Sequence, residues 1–266
     1  DDYGDYNQGS IKVDGSYLTN SNYLQTSLSL NTIYVESLLG LLKEVLDEKT
    51  SASLDGLRGL VSGFVFSGDA YLSTDLKSLS YNVPYLVLAN TKKDNQVLML
   101  AVNGNEQSLQ VNNFYLVYNT FALDATASLD SMPDSSDKFF TVDLLSSSIP
   151  YHFSGSIMPE VITLTGDYGT EAELRIGKNR TFDGFASFKG LPFMINQAAY
   201  IFSLDSLFDY TKEQGPQITL QHLQIEKDSP DSSVNPRLEL SGSATKYGAQ
   251  INSISYTDLY SSLNGN

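Results

Sequence analysis

Residues suited to catalysis are scarce in this chain. Its only two histidines, His152 and His222, lie in separate apparent strands, so a Ser-His-Asp triad would have to recruit one of them. No Gly-x-Ser-x-Gly turn, which presents the nucleophile in many hydrolases, accompanies either histidine. The stretch "SSDK" (135–138) has Ser-x-x-Lys spacing, but it lies in a polar segment away from any helix that could hold the lysine beside the serine. Cysteine is absent, which excludes thiolate nucleophiles, disulfides, thiolate zinc sites and iron–sulfur clusters.

Carboxylates, in contrast, are abundant, with 31 Asp and Glu residues in the chain. A glycosidase needs two of them on either side of the sugar bond, yet nothing in the sequence selects a pair. Glu171 and Glu173 share a strand face by alternation, which is more typical of a solvated strand than of an active site. The chain also lacks tryptophan, a common platform for sugars, although its 17 tyrosines could substitute.

Motifs for metals and phosphates are incomplete. The acidic stretch 228–237 lacks the central glycine and closing glutamate of a calcium loop, and "DDYGDY" (1–6) offers oxygen ligands without a scaffold. "GLRGLVSG" (56–63) lacks the Lys-Ser/Thr ending of a phosphate loop. "NRT" (179–181) fits N-glycosylation, which matters only in a eukaryotic secretory route. The sequence therefore predicts no catalytic, cofactor-binding or metal-ligating residue and no cofactor, and it leaves the ligand-binding residues unknown.

The charge balance narrows the classes of partner. Sixteen Lys and Arg against 31 Asp and Glu give a net charge of −15, which repels nucleic acid and anionic lipid headgroups. Hydrophobic residues make up 41% of the chain and charged residues only 18%, so a folded protein is expected rather than a disordered one. No run of about 18 apolar residues could form a membrane-spanning helix. The partner predictions are therefore no nucleic acid and an unidentified ligand or protein.

Most of the chain alternates apolar and polar residues with the period of a β-strand. The clearest segments are 96–104, 108–121, 160–177, 217–226 and 237–244. Within 160–177, the stretch Gly166 to Gly169 separates two alternating runs and predicts a hairpin. Because hairpins connect so many of these runs, the sheets are expected to be largely antiparallel.

Two segments suggest helices instead. Residues 32–50 place apolar side chains at helical spacing, which predicts an amphipathic helix near 33–49. Residues 194–215 suggest a second helix near 194–212, followed by a stop signal at Gly215 and Pro216. Both helices are expected to cover the apolar side of a sheet, so the predicted fold class is α+β and β-rich, with two amphipathic helices packed on largely antiparallel sheets.

The order of elements hints at two related halves. An Asp-Gly strand, a helix and a Ser-Gly strand occur in that order in each half. This order predicts an N-terminal β-rich half at 11–129 and a C-terminal β-rich half at 139–266. The acidic start, which has no run that could enter a core, is expected to be a flexible tether at 1–10. The polar, Ser-rich stretch 130–138 is the expected seam. The alternative is a single β-rich domain over 11–266.

The first residues carry a resemblance. The acidic start from Asp1 to Asp5, together with a cysteine-free body rich in Tyr, Ser and Asn, resembles exported lipoproteins of unknown function from gut Gram-negative bacteria. The resemblance implies a lipid anchor upstream of Asp1 and removal of an earlier segment. It also implies a location in the cell envelope, at the outer-membrane surface or in the periplasm, with no membrane contact except through that anchor. It transfers no functional residue.

Three functions remain open at this point. The first is a non-enzymatic cell-envelope protein that binds a ligand or partner through a sheet face or strand edge, or serves structurally. The second is a carrier of a small apolar ligand in a cavity between sheet and helix, with the Phe-rich stretch 182–195 as a possible lining. The third is a glycan or peptide hydrolase with unidentified carboxylates. Whether the protein is an enzyme is thus undecided, and the sequence favours a protein that is not.

Overall fold

Alternating side chains build almost the whole protein out of β-strands. The computed structural model describes residues 9–45, 61–75, 77–132, 135–195, 198–228, 235–258 and 261–265. The described elements are 17 strands, one α-helix and one short 3-10 turn. The strand pairings within these residues are antiparallel. The chain divides into two units, Asp1–Ser128 and Leu129–Asn266.

The first unit is a meander in which consecutive strands from β1 to β6 pair with one another. A helix, α1, follows the second strand and contacts β2 and β3. The elements are β1 (Ser10–Leu18), β2 (Tyr23–Tyr34), α1 (Val35–Val45), β3 (Phe64–Thr74), β4 (Leu79–Asn90), β5 (Gln96–Asn105), β6 (Ser108–Tyr118) and β7 (Phe121–Ser131), the last of which passes the boundary between the units.

The second unit repeats the same simple pairing from β8 to β17. A 3-10 turn at Lys178–Arg180 lies between β11 and β12. The strands are β8 (Lys138–Ser146), β9 (Ile149–Ile157), β10 (Val161–Gly166), β11 (Thr170–Ile176), β12 (Phe182–Ile195), β13 (Ala198–Thr211), β14 (Gly215–Asp228), β15 (Arg237–Thr245), β16 (Gly248–Thr257) and β17 (Ser262–Gly265).

Local turn chemistry explains the hairpins. The predicted hairpin between β10 and β11 is present, and its turn residues Tyr168 and Gly169 have φ of 58° and 59°. Positive φ at both central residues matches the right-handed twist of the flanking strands. At the β5–β6 turn, the Asn105 side-chain oxygen accepts hydrogen bonds from the backbone N–H groups of Gln107 (2.8 Å) and Ser108 (2.9 Å). Each turn therefore brings consecutive strands together as antiparallel neighbours.

The predicted α+β fold class with two helices is wrong. The segment 194–212, expected to be the second helix, contains the end of β12 and all of β13, while residues 196–197 lie outside the described residues. Its apolar residues satisfy a period of two as well as helical spacing: Tyr200, Phe202 and Leu204 alternate with Ile201 and Ser203 on opposite faces. Pairing of β13 with strands on both sides satisfies its backbone hydrogen bonds, and that long-range pairing overrides the local helical signal.

The first predicted helix, near 33–49, has a different outcome. The structure has α1 at Val35–Val45, while residues 46–49 lie outside the described residues. The other predictions that fall wholly or partly outside them are the tether at 1–10 and the stretches 1–6, 56–63, 130–138 and 228–237. The expected packing of two helices on the sheet is also wrong, because only one helix is present in the described part of the chain.

The burial pattern is unusual for a folded chain. Among the described residues no apolar side chain is fully buried, and the buried polar residues are Asn90, Gln96, Ser156 and Thr170. Most apolar side chains of the strands are half-buried or exposed. Stacked sheets or covering helices normally bury one face of a sheet completely. In the described residues of each unit, strands contact their neighbours in the sheet. The chemical character of the two sheet faces therefore determines what the protein can bind.

Candidate functional site

The second unit has one face that is apolar across nine neighbouring strands. Residues paired directly across antiparallel strands point to the same side of a sheet, so the pairing identifies each face. One cross-strand row consists of Phe188, Leu204, Leu223, Leu240 and Ile254. A parallel row consists of Ile157, Ile162, Leu174, Gly184, Phe208, Ile218, Ala244 and Ala249. We call this side, from β8 to β16, the apolar face of the second unit.

Polar side chains occupy the opposite side. A representative row there consists of Arg175, Asp183, Asp209, Gln217 and Thr245. On the apolar face, by contrast, the charged residues of the described strands are Lys138 and Lys227, both close to strand ends. The period of two has thus sorted the charged and apolar residues onto separate sides of the sheet. We call the charged side the polar face of the second unit.

An aromatic cluster marks one end of the apolar face. The Phe202 ring lies 6.3 Å from that of Phe188 and 6.5 Å from that of Phe193, the latter at 84°, an edge-to-face contact. Phe193 also stacks on Tyr200 at 5.5 Å. These distances are those of favourable aromatic pairs. Of the Phe-rich stretch 182–195, Phe182, Phe188 and Phe193 lie on the apolar face, whereas Phe185 lies on the polar face.

A tyrosine joins β9 to β12 near this cluster. The Tyr151 hydroxyl donates a hydrogen bond of 2.5 Å to the carbonyl oxygen of Pro192. Partial burial, followed by the nearby Tyr168, raises the pKa of Tyr151 above its ordinary value. The phenol therefore stays neutral and remains a hydrogen-bond donor at physiological pH.

Small side chains make a depression near the middle of the face. Its volume is about 200 Å³, and Ala172, Ala186 and Ser206 lie side by side in its lining on β11, β12 and β13. Larger residues surround them, among them Ile162 and Phe208. The face therefore combines aromatic walls with a shallow floor, a shape suited to a flexible apolar chain.

The apolar face is accessible over a large area. Ile218 is 51% exposed and Ile251 is 57% exposed. Eight strand spacings of about 4.8 Å and strands about 30 Å long give an area on the order of 1,000 Å². The largest apolar patch on a typical monomer is about 300 to 600 Å². An exposed apolar face of this size is a candidate binding surface.

The first unit, considered by itself, shows the same sorting. One cross-strand row consists of Leu30, Gly68, Leu86, Leu100 and Phe114, and the next consists of Ile33, Phe66, Leu88, Leu98 and Leu116. The opposite side carries mainly Ser, Asn, Gln and Tyr, including Ser27, Tyr71, Asn82, Asn103 and Gln110. We call these sides the apolar face and the polar face of the first unit.

The histidines lie on the polar face of the second unit, on β9 and β14. The Nδ1 of His152 is 2.6 Å from the Asp143 carboxylate, and its backbone N–H donates to Asp167 at 2.7 Å. His222 is opposite Asp205 in the β13–β14 pairing. No serine hydroxyl is hydrogen-bonded to either imidazole in the described part of the chain, so the structure does not assemble a triad there.

The remaining sequence candidates also lie apart from one another. Glu171 and Glu173 share the polar face on β11, and Glu173 accepts a 2.6 Å hydrogen bond from Arg175. In "SSDK", the backbone N–H of Asp137 donates to the Ser135 hydroxyl at 3.0 Å, and Lys138 begins β8. "NRT" overlaps the 3-10 turn. Within the residues described, no group of three or more His, Asp or Glu side chains could hold a metal ion.

The sequence predicts binding through a sheet face or a strand edge as one option, but it does not single out the apolar faces. Their alternation predicts instead one side of a sheet that two helices cover. The signal that could have found the face of the second unit lies in 182–211, where Phe, Tyr and Leu alternate through two consecutive strands. Because the sequence predicts a helix at 194–212, it does not predict the second of those strands.

None of the helices in the described ranges is both long enough and apolar enough to span a membrane. No protein-family model, no curated protein and no solved structure matches this chain.

Proposed function

We propose that this protein is a non-enzymatic lipid-binding protein that holds hydrocarbon chains on the apolar face of its second unit. The observation that carries the proposal is the uncovered apolar face from β8 to β16, with charged residues only near strand ends in the described strands. The acidic start resembling exported lipoproteins supports a cell-envelope location for this activity. In that setting an anchored protein would shield lipid chains from water.

The chemistry of the face favours a lipid chain over a protein partner. Protein interfaces carry about one hydrogen bond per 100–200 Å², and their rims are polar. The rows from Phe188 to Ile254 and from Ile157 to Ala249 offer almost no side-chain donors or acceptors. A hydrocarbon chain needs none, and each buried methylene contributes about 0.8 kcal/mol. Ten buried methylenes would contribute roughly 8 kcal/mol before the entropy cost of ordering the chain.

Two adjacent residues of β14 allow a sharp test. Ile218 is exposed on the apolar face and Thr219 is exposed on the polar face. Because the chain contains no tryptophan, Ile218→Trp or Thr219→Trp would introduce a single fluorescent reporter on a chosen face. The probe is dibromostearoyl glycerol, a neutral lipid whose bromine atoms quench tryptophan on contact. We expect quenching in Ile218→Trp and none in Thr219→Trp.

Charge substitutions at the same positions give the matched functional variants. Ile218→Glu would place a carboxylate against the lipid chain, and the cost of removing that charge from water should weaken binding about tenfold or more. Thr219→Glu adds the same charge on the polar face and should leave the affinity unchanged. Both side chains are exposed, so neither change should prevent folding, which circular dichroism would check.

A second copy of the chain is the competing occupant of the face. In that case sedimentation velocity of the lipid-free protein would show a dimer that Ile218→Glu dissociates, and dibromostearoyl glycerol would quench neither reporter. Equal quenching of both reporters would also contradict the proposal, because it would indicate binding without preference for the apolar face.

A further inference from the structure

The polar face of the first unit contains an open cleft of about 510 Å³. Pockets for small molecules commonly have volumes of 300–1,000 Å³. None of its 13 lining residues is charged, although the chain carries 47 charged Asp, Glu, Lys and Arg residues, and six of the 13 are Asn or Gln. The lining of the cleft is therefore rich in amides and free of charged side chains.

The strand register places these polar side chains in one line. Tyr71 on β3, Asn82 on β4, Asn103 on β5 and Gln110 on β6 are successive cross-strand partners. Gln25 of β2 lies on the same face, in the neighbouring row. Four strand spacings of about 4.8 Å separate β2 from β6, so the polar row extends roughly 19 Å across the sheet.

Three of the amides are available to a ligand. Gln25, Asn82 and Gln110 are exposed, and in the described part of the chain their side chains have no hydrogen-bond partner. By contrast, Asn103 is held by a hydrogen bond that it accepts from the Asn112 side chain. A primary amide offers both donors and an acceptor, so it can pair with hydroxyl groups, which also donate and accept. Rows of free amides therefore suit a polyhydroxylated molecule.

The absence of charge in the lining narrows the ligand further. Phosphate and carboxylate ligands are normally held by Arg or Lys, and neither lines this cleft. The Tyr71 side chain is 43% exposed and presents an aromatic ring beside the amides. Such a ring has an apolar surface and a polar tip, which can contact the C–H face of a sugar while its hydroxyl remains in water. We propose that this cleft binds a neutral oligosaccharide.

The test uses defined sugars as probes. Isothermal titration calorimetry of the full chain with maltohexaose, cellohexaose and laminarihexaose should detect binding of at least one of them. A charged comparator, hexagalacturonic acid, should bind more weakly than that sugar, because no cation faces it. Failure of all three neutral sugars to bind at millimolar concentration, or tighter binding of the acidic one, would overturn the proposal.

Variants then locate the site. Asn82→Asp removes an amide donor and adds a charge, and it should weaken binding of the selected sugar about fivefold or more. Asn113→Asp is the matched control, because Asn113 is an exposed amide on the same face outside the cleft. Tyr71→Phe should retain binding and Tyr71→Ala should lose it. Equal losses in Asn82→Asp and Asn113→Asp would overturn the assignment, and thermal melting would check that both variants fold.

This inference does not depend on the proposed lipid binding. The cleft belongs to the polar face of the first unit, whereas the lipid probe tests the apolar face of the second unit. Loss of sugar binding in Asn82→Asp should leave quenching of the Ile218→Trp reporter unchanged, so the two proposals fail or succeed separately.

Discussion

Asp75 illustrates the role of single residues in closing the hairpins. Its carboxylate accepts hydrogen bonds from the Ser78 hydroxyl (2.8 Å) and from the backbone N–H groups of Ser78 (2.6 Å) and Lys77 (3.0 Å). Because these bonds favour the charged form, they lower the pKa of Asp75 to about 2, with the Ser78 hydroxyl as the largest cause. The turn between β3 and β4 therefore depends on an ionised aspartate.

The pH dependence of this turn follows from that shift. A carboxyl whose pKa is lower in the folded than in the unfolded protein stabilises the fold above its unfolded value of about 3.9. The stabilisation is lost as the pH falls through the folded value of about 2. NMR titration of the side-chain carbons should find the Asp75 midpoint near 2. Ser78→Ala should raise that midpoint toward the ordinary value, and an Asp75 midpoint at the ordinary value in the unmodified chain would contradict the assignment.

Sequence reasoning at this scale found the candidate residues but not their relations. His152 and His222 were correctly placed in separate strands, whereas the pairing of His152 with Asp143 depends on the register of β8 and β9. Similarly, Asn82 and Gln110 are 28 positions apart in the sequence, and only the register of β4, β5 and β6 places them in one row. Such juxtapositions are long-range and leave no local signal.

On the apolar faces, several glycines lie directly opposite an aromatic residue of the neighbouring strand, and the two pack against each other. Gly155 is opposite Phe140, Gly184 is opposite Phe208, and in the first unit Gly104 is opposite Tyr81. A Cβ atom added at Gly155 would lie 2.0 Å from the backbone oxygen of Thr163 and 2.5 Å from the Phe140 ring. The ring occupies the space that a side chain would fill, and it covers backbone that a glycine would otherwise expose.

Substitution of one of these glycines tests the packing. Gly155→Ala should destabilise the protein by about 1 to 3 kcal/mol, because the added methyl group would displace the Phe140 ring or the backbone. Gly15→Ala is the control, since its Cβ would find its nearest atoms at 3.6 and 3.7 Å, and it should change stability by less than about 0.5 kcal/mol. Urea unfolding would compare the two, and equal effects would argue against the proposed packing.

Secondary structure was predicted correctly where the spacing of the apolar residues matched only one period, that of a strand. The hairpin at 160–177 was predicted because its alternation and turn residues agree. The segment 194–212 fitted both a helical and a strand period, and pairing with β12 and β14 decided in favour of the strand. A single-sequence pattern cannot include the hydrogen bonds supplied by neighbouring strands, so this ambiguity could not be resolved locally.

The charge of the whole molecule should affect how it acquires lipid. With a net charge of −15 the protein is repelled by anionic membranes, and this repulsion is screened over about 10 Å at 0.1 M salt. We expect slower uptake of dibromostearoyl glycerol from vesicles containing phosphatidylglycerol than from pure phosphatidylcholine vesicles. Quenching kinetics of Ile218→Trp at low salt would measure the difference. It should disappear in 0.5 M NaCl, and faster uptake from the anionic vesicles would contradict the expectation.

Charge, composition and the alternation within each strand follow from the amino-acid order alone. Its 31 acidic residues, its lack of cysteine and its period-two runs are local or additive properties that need no knowledge of contacts. The register between strands aligns the apolar sets of nine consecutive strands on one side, and the fold brings α1 into contact with β2 and β3. Strand register and coverage of a face depend on contacts between residues far apart in the sequence. A strand pattern can therefore predict that one side is apolar, but it cannot determine what, if anything, packs against that side.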